Sequence, residues 1–168
     1  TAPDSIEFDG LVITDVLCFE DSTGAIDVTI IGGTEAGLYD YIWLGPGLNE
    51  TTEDLSNIPV GDYDLRVIDD NNCFLDTTFT ITEPDELVAS ATSMDAQCGL
   101  PDGTATASEV GGVPTYGYVW MNDDFTTAGR GTNALEPGLG LGTYYVEITD
   151  GNGCQDTAAV AVSETTGP

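Results

Sequence analysis

Val60-Gly61-Asp62-Tyr63-Asp64-Leu65-Arg66-Val67-Ile68-Asp69-Asp70-Asn71-Asn72-Cys73 decides the reading of this chain, because it returns 81 positions later (154 − 73 = 81) as Leu141-Gly142-Thr143-Tyr144 through Asp150-Gly151-Asn152-Gly153-Cys154. Inside the first copy Tyr63, Leu65 and Val67 alternate with Asp62, Asp64 and Arg66, and inside the second Tyr144, Val146 and Ile148 keep the same parity. Period two with one polar side predicts half-buried antiparallel strands. A fixed self-similarity of this length predicts tandem modules.

Working outward, Gly32-Gly33 recurs as Gly111-Gly112, Tyr39-x-Tyr41-x-Trp43 as Tyr116-x-Tyr118-x-Trp120, and Asp76-Thr77 as Asp156-Thr157. Pro3-Asp4 is echoed by Pro84-Asp85, and Ile81-Thr82-Glu83 by Val162-Ser163-Glu164. These joints divide the chain into residues 1–83 and 84–168, and they read as a slice of a longer array. Ile26, Val28 and Ile30 supply another alternating run, and Gly/Pro clusters at Gly45-Pro46-Gly47, Gly99-Leu100-Pro101 and Pro137-Gly138 punctuate the rest. No sustained helical period is present. The expected architecture is all-β: two tandem immunoglobulin-like β-sandwich repeats.

Composition narrows the chemistry. Of 168 residues, 30 are Asp or Glu and 2 are Lys or Arg, with no His, for a formal net charge of −28. Such a chain repels nucleic acid and anionic membrane surfaces, and no apolar run is long enough to insert into a membrane. Without His or Lys it lacks the commonest general base, Schiff-base chemistry and the phosphate-loop lysine, so no catalytic residue is assigned and an enzyme is not expected. What the acidity favours is a hard cation such as Ca²⁺, bound by carboxylate and amide oxygens. Asp69, Asp70 and Asn71, with Asp150 and Asn152 in the second copy, are the candidate ligands. The joint Glu83-Pro84-Asp85-Glu86 with Asp102 is a further acidic cluster. Against this, Asp and Asn also build plain turns by bonding their own backbone.

The four cysteines stand at nearly equal intervals, 73 − 18 = 55 and 154 − 98 = 56, with no CxxC to suggest zinc. The spacing predicts one disulfide per repeat, Cys18 with Cys73 and Cys98 with Cys154, each stabilising its module by roughly 4 kcal/mol on the chain-entropy model. Such bonds persist in an oxidising compartment, and with neither an initiator Met nor a signal peptide the chain reads as a mature or excised segment.

Taken together, Gly-Gly, Tyr-x-Tyr-x-Trp, Gly-x-Tyr-x-(Leu/Val)-x-(Val/Ile)-x-Asp-x-Asn-x-Cys and Thr-Glu-Pro resemble the SprB-type repeat of gliding-motility adhesins and other long surface proteins of Bacteroidota. Repeat two departs from it by extra residues around Ala128 to Leu139 and by lacking Pro after Glu164. The resemblance implies secretion, display at the bacterial cell surface, and a role as stalk or adhesive array whose partners are neighbouring repeats. It also draws attention to Ser5, Ser22, Thr77 and Thr157, each preceded by Asp, as O-glycosylation acceptors. Asn49-Glu50-Thr51 is an N-glycosylation sequon by pattern.

Trp43 and Trp120 are expected in the core rather than on a sugar-stacking face, and Tyr63 and Tyr144 are expected to be tyrosine corners. Two other functions fit the sequence. An extracellular filament would assemble through cations or through exchange of the Ile6 to Val16 strand. A glycan- or protein-binding module would use exposed aromatics, for which Phe8, Phe19, Phe74 and Phe125 are the candidates near loops.

Overall fold

The structure is a computed structural model describing residues 4–34, 39–127 and 129–165; Pro3 and Ala128 lie outside the described residues. All secondary structure among the described residues is β. The chain divides into two compact units, Thr1–Glu83 and Pro84–Pro168.

Unit 1 holds β1 (Asp4–Thr14), β2 (Gly24–Gly33), β3 (Asp40–Gly45), β4 (Leu48–Glu50), β5 (Leu55–Ile58), β6 (Gly61–Ile68) and β7 (Phe74–Ile81). One sheet has the order β1-β2-β5 and the other β4-β3-β6-β7, all antiparallel. This is the strand arrangement of an immunoglobulin-like sandwich. The alternating runs explain it: Ile26, Val28 and Ile30 of β2 face Tyr63, Leu65 and Val67 of β6, and Trp43, Phe79 and Ile81 complete the core. The polar alternates pair across the outer face of the second sheet, where the Thr78 and Thr80 hydroxyls donate to Asp64 and Asp62 and Arg66 lies 2.6 Å from Asp76. A bulge between Phe8 and Gly10 shifts the register of β1 against β2, and Leu11 and Ile13 beyond it stay exposed.

Unit 2 repeats the plan with β8 (Val88–Met94), β9 (Ala96–Gln97), β10 (Gly103–Val110), β11 (Gly117–Met121), β12 (Leu135–Leu139), β13 (Gly142–Thr149), β14 (Gln155–Val162) and β15 (Glu164–Thr165). Its sheets are β8-β10-β12 and β11-β13-β14, with β15 pairing parallel to β9. The core again has a Trp at its centre: Trp120 packs with Ala105, Val146, Ile148, Leu139 and Val162. Small residues replace the large apolar ones of unit 1, as in Ala105 and Ala107 of β10 against Ile26 and Val28 of β2. The segment before β12 is seated by Arg130 and the buried Glu136, which lie 3.5 Å apart, with Glu136 also accepting from Gly131 N.

Candidate functional site at the module poles

Each unit is a short rod that the chain enters at one end and leaves at the other. In unit 1 the entry pole joins the start of β1 to the Gly32-Gly33 turn and the β6–β7 turn, because Asp4 pairs with Gly33 and Thr34 N donates to Asp69 Oδ2 at 3.0 Å. The exit pole joins the β1–β2 turn to the end of β7, where Val16 N donates to the Thr82 carbonyl, Thr82 N to Asp15 Oδ1, and Glu20 N to Glu83 Oε2. Unit 2 copies both ends. At its entry pole Val113 N donates to Asp150 Oδ2 at 2.8 Å; at its exit pole Ala96 N donates to the Ser163 carbonyl and Ser163 N to Asp95 Oδ1.

The double glycines belong to the entry pole. Gly32 and Gly33 have φ of 81° and 71°, Gly111 and Gly112 of 72° and 65°. A Cβ on Gly32 would collide with the Ser5 carbonyl, and one on Gly111 with the Glu86 carbonyl. Glycine is required there both for its left-handed backbone and for the close approach of the incoming chain.

Asp69 and Asp150 are the hubs of this pole and are buried. Asp69 Oδ1 accepts from Asn71 N and Cys73 N, and Oδ2 from both Thr34 N and Oγ1. Asp150 Oδ1 accepts from Asn152 N and Cys154 N. The Thr34 backbone, followed by Cys73 and Asn71, holds the Asp69 carboxyl below its ordinary pKa. Burial pushes the Asp150 carboxyl up, but the N–H groups of Val113, Cys154, Asn152 and Gly153 outweigh it and the net shift is downward. Both residues thus do the work of a turn, taking backbone donors with the oxygens that a cation would need. Asp70, Asn71 and Asn152 are exposed, and among the described residues no group of three or more acidic or sulfur side chains converges as a metal site would.

The tryptophans and the corner tyrosines are held inside the modules. Trp43 and Trp120 are fully buried, and their indole N–H groups donate to the carbonyls of Thr52 and Asn133 at 3.0 and 2.9 Å. The Tyr63 and Tyr144 hydroxyls donate to the carbonyls of Pro59 and Gly140, at 2.8 and 3.1 Å, which is the tyrosine-corner geometry. Phe8 packs edge-on against Phe79, and Phe74 lies under the Arg66 guanidinium. Phe19 is exposed in the β1–β2 turn, and the exposed Phe125 stacks on Tyr145 with centroids 4.5 Å apart. Of the glycosylation candidates Ser5, Ser22 and Thr157 are exposed, while Thr77 is half-buried in β7; Asn49 is exposed in β4.

The disulfide assignment requires correction. Cys73 and Cys98 are free and exposed, so neither Cys18–Cys73 nor Cys98–Cys154 is present; Cys18 and Cys154 are disulfide-bonded. The reason lies in the poles. Cys73 precedes β7 and sits at the entry pole, whereas Cys18 follows Val16 at the exit pole, beyond the far end of β7. At about 3.3 Å per residue the intervening strand separates them by on the order of 25 Å, against the roughly 4.4–6.8 Å between Cα atoms that a disulfide spans. Cys98 and Cys154 are separated in the same way by β14. The near-equal sequence intervals record the period of the repeat and carry no information about pairing.

Comparison with known proteins matches one part of the chain to a known repeat. Residues 10–48 match the SprB repeat. The matched segment covers β1 from its bulge, all of β2 and β3, and the start of β4. No curated protein sequence matches the chain. Among solved structures the chain is similar to the two-domain IG1+IG2 fragment of DIP-gamma, with a TM-score of 0.46 and 14% identity over 97% of this chain and 99% of that one. It is also similar to the N-terminal eight Ig domains of Down Syndrome Cell Adhesion Molecule (TM-score 0.47, 11% identity, 98% of this chain and 25% of that one). A third similarity is to a C-terminal 282-residue fragment of intimin crystallised with the intimin-binding domain of its translocated receptor (TM-score 0.38, 13% identity, 97% and 64%).

Proposed function

We propose that the chain is a pair of tandem SprB-type repeats from the extracellular part of a large bacterial cell-surface protein, acting as a stalk or adhesive array and not as an enzyme. The observation that carries this reading is the shared pole construction of the two units: the same Gly-Gly turn, the same buried Asp and the same tyrosine corner recur, and the chain enters and leaves at opposite ends. A module whose termini lie at opposite poles extends when it is repeated, which is what a spacer needs. The SprB match over residues 10–48 supports the type of repeat, and the disulfide-bonded Cys18 and Cys154 suit an oxidising exterior. Asp69 and Asp150 are capped by backbone N–H groups that hold their carboxyls below the ordinary pKa, which suits a structural role in the turn. Its net charge of −28 would keep neighbouring stalks apart and hydrated.

Sedimentation velocity of the full chain under reducing conditions, across a concentration series in EDTA and in millimolar Ca²⁺, tests the reading. A spacer stays a monomer throughout. Assembly that grows with concentration or with Ca²⁺ would replace it by the filament reading, and specific retention on a glycan array would replace it by a lectin.

A further inference from the structure

We propose that the two free thiols are the halves of a head-to-tail disulfide between copies of this chain, in which Cys98 of one copy bonds Cys73 of a second copy.

The cysteines fall into two structural classes. Cys18 and Cys98 occupy the same position: each follows a residue whose N–H is held by a polar side chain, Leu17 by Thr23 and Gln97 by Asp102, two places after the residue bonded to the closing strand. Cys73 and Cys154 likewise share a position, each donating its N–H to the hub carboxylate, Asp69 or Asp150, and accepting from that residue's N–H. One class marks the exit pole and the other the entry pole. Within a module the two classes stand too far apart to bond.

The oxidation states supply the second, independent observation. One member of each class, Cys18 of the exit class and Cys154 of the entry class, is disulfide-bonded, while the remaining member of each, Cys98 and Cys73, is an exposed thiol. Exit-class and entry-class sulfurs are therefore both competent for a disulfide in their local backbone setting. Unit 1 leaves an entry-class thiol exposed and unit 2 an exit-class thiol, so each copy of the chain carries both halves of the bond. In a run of copies of the chain, every joint between copies would carry one Cys98 and one Cys73.

Bond formation proceeds by thiol–disulfide exchange with a low-molecular-weight disulfide as oxidant. The thiolate of Cys98 attacks one sulfur of oxidised glutathione, releasing one glutathione thiol and leaving a mixed disulfide. The thiolate of Cys73 from the second copy attacks that mixed disulfide at the Cys98 sulfur and expels the second glutathione. Two protein thiols are oxidised to one disulfide, and one oxidised glutathione is reduced to two thiols.

The proposal goes beyond the spacer reading, and its failure would leave that reading standing, since a monomeric spacer can have unbridged junctions. The test incubates concentrated full-length protein with oxidised glutathione at a salt concentration high enough to screen its charge. Non-reducing electrophoresis and peptide mapping of the cross-links follow. Unbiased pairing would make about half of the intermolecular bonds Cys73–Cys98; the proposal expects these bonds to exceed each symmetric bond by roughly tenfold or more and to build a linear ladder. C73S and C98S, which alter exposed free side chains, are each expected to lose the ladder, and a mixture of the two to give a heterodimer joined through Cys98 and Cys73. Statistical pairing, symmetric Cys73–Cys73 or Cys98–Cys98 dimers in comparable yield, or no coupling at all would overturn the proposal.

Discussion

Cys73 donates its backbone N–H to Asp69 Oδ1 at 2.8 Å, and this bond fixes the thiol at the end of the sandwich where the chain comes in. The equivalent bond from Cys154 to Asp150, at 2.9 Å, does the same in unit 2. The cysteine and the carboxylate that organises its turn are thus one structural device, and most of the testable consequences run through it.

The first concerns acid. Asp69 and Asp150 have folded-state pKa values lowered by backbone donors, so their contribution to stability is present above the unfolded carboxylate pKa and is lost as pH falls through the lower folded value. Unfolding midpoints are expected to drop across that acidic window. Asp150→Asn keeps one acceptor oxygen but no charge; urea titrations of this variant should show a lower midpoint at pH 7 and a flatter acid limb than the parent.

The same hubs bear on calcium. A Ca²⁺ ion at either turn would have to displace backbone N–H groups from the Asp oxygens it binds. Thermal midpoints in EDTA and in millimolar Ca²⁺ are therefore expected to coincide. A clear rise with Ca²⁺ would restore a cation role for Asp69, Asp70, Asn71, Asp150 and Asn152.

Removing a tyrosine-corner hydroxyl should be measurable. Tyr63→Phe leaves the ring in place but strands the Pro59 carbonyl, and Tyr144→Phe does so at Gly140. Each is expected to cost about 1 kcal/mol, a shift of roughly 4–8 °C in the melting temperature of a module this size.

Glycine positions separate two effects. Gly47 has φ of 67° with nothing near its missing Cβ, so Gly47→Ala should cost about 1 kcal/mol through backbone strain alone. Gly32→Ala adds a collision with the Ser5 carbonyl to comparable strain, and its loss is expected to be roughly twofold or more larger in chemical denaturation.

Much of the fold was legible in the sequence because the decisive signals are local. The alternation of Tyr63, Leu65 and Val67 already sorts core from surface, and a Trp preceded by Tyr residues of the same parity marks the strand, β3 or β11, that carries the buried indole of each module. The Gly-Gly pairs were visible as a repeat, but their reason, the passage of the incoming chain over them, depends on residues as far away as Ser5 and Glu86. The parallel pairing of β15 with β9, the seating of Glu136 beside Arg130, and the bulge in β1 leave no periodic trace. The cysteines were misread for a physical reason. In a tandem repeat any two features recur at matched intervals, so 55 and 56 residues follow from the period whether or not the sulfurs meet, and the strand lying between them keeps them apart.

Peptide mapping of the native monomer, alkylated at its free thiols before any oxidant is added, tests the account most directly. The account predicts alkylated Cys73 and Cys98, with Cys18 and Cys154 disulfide-bonded and protected. Recovery of Cys18–Cys73 and Cys98–Cys154 linked peptides would contradict the polar placement of the cysteines and, with it, the head-to-tail coupling drawn from it.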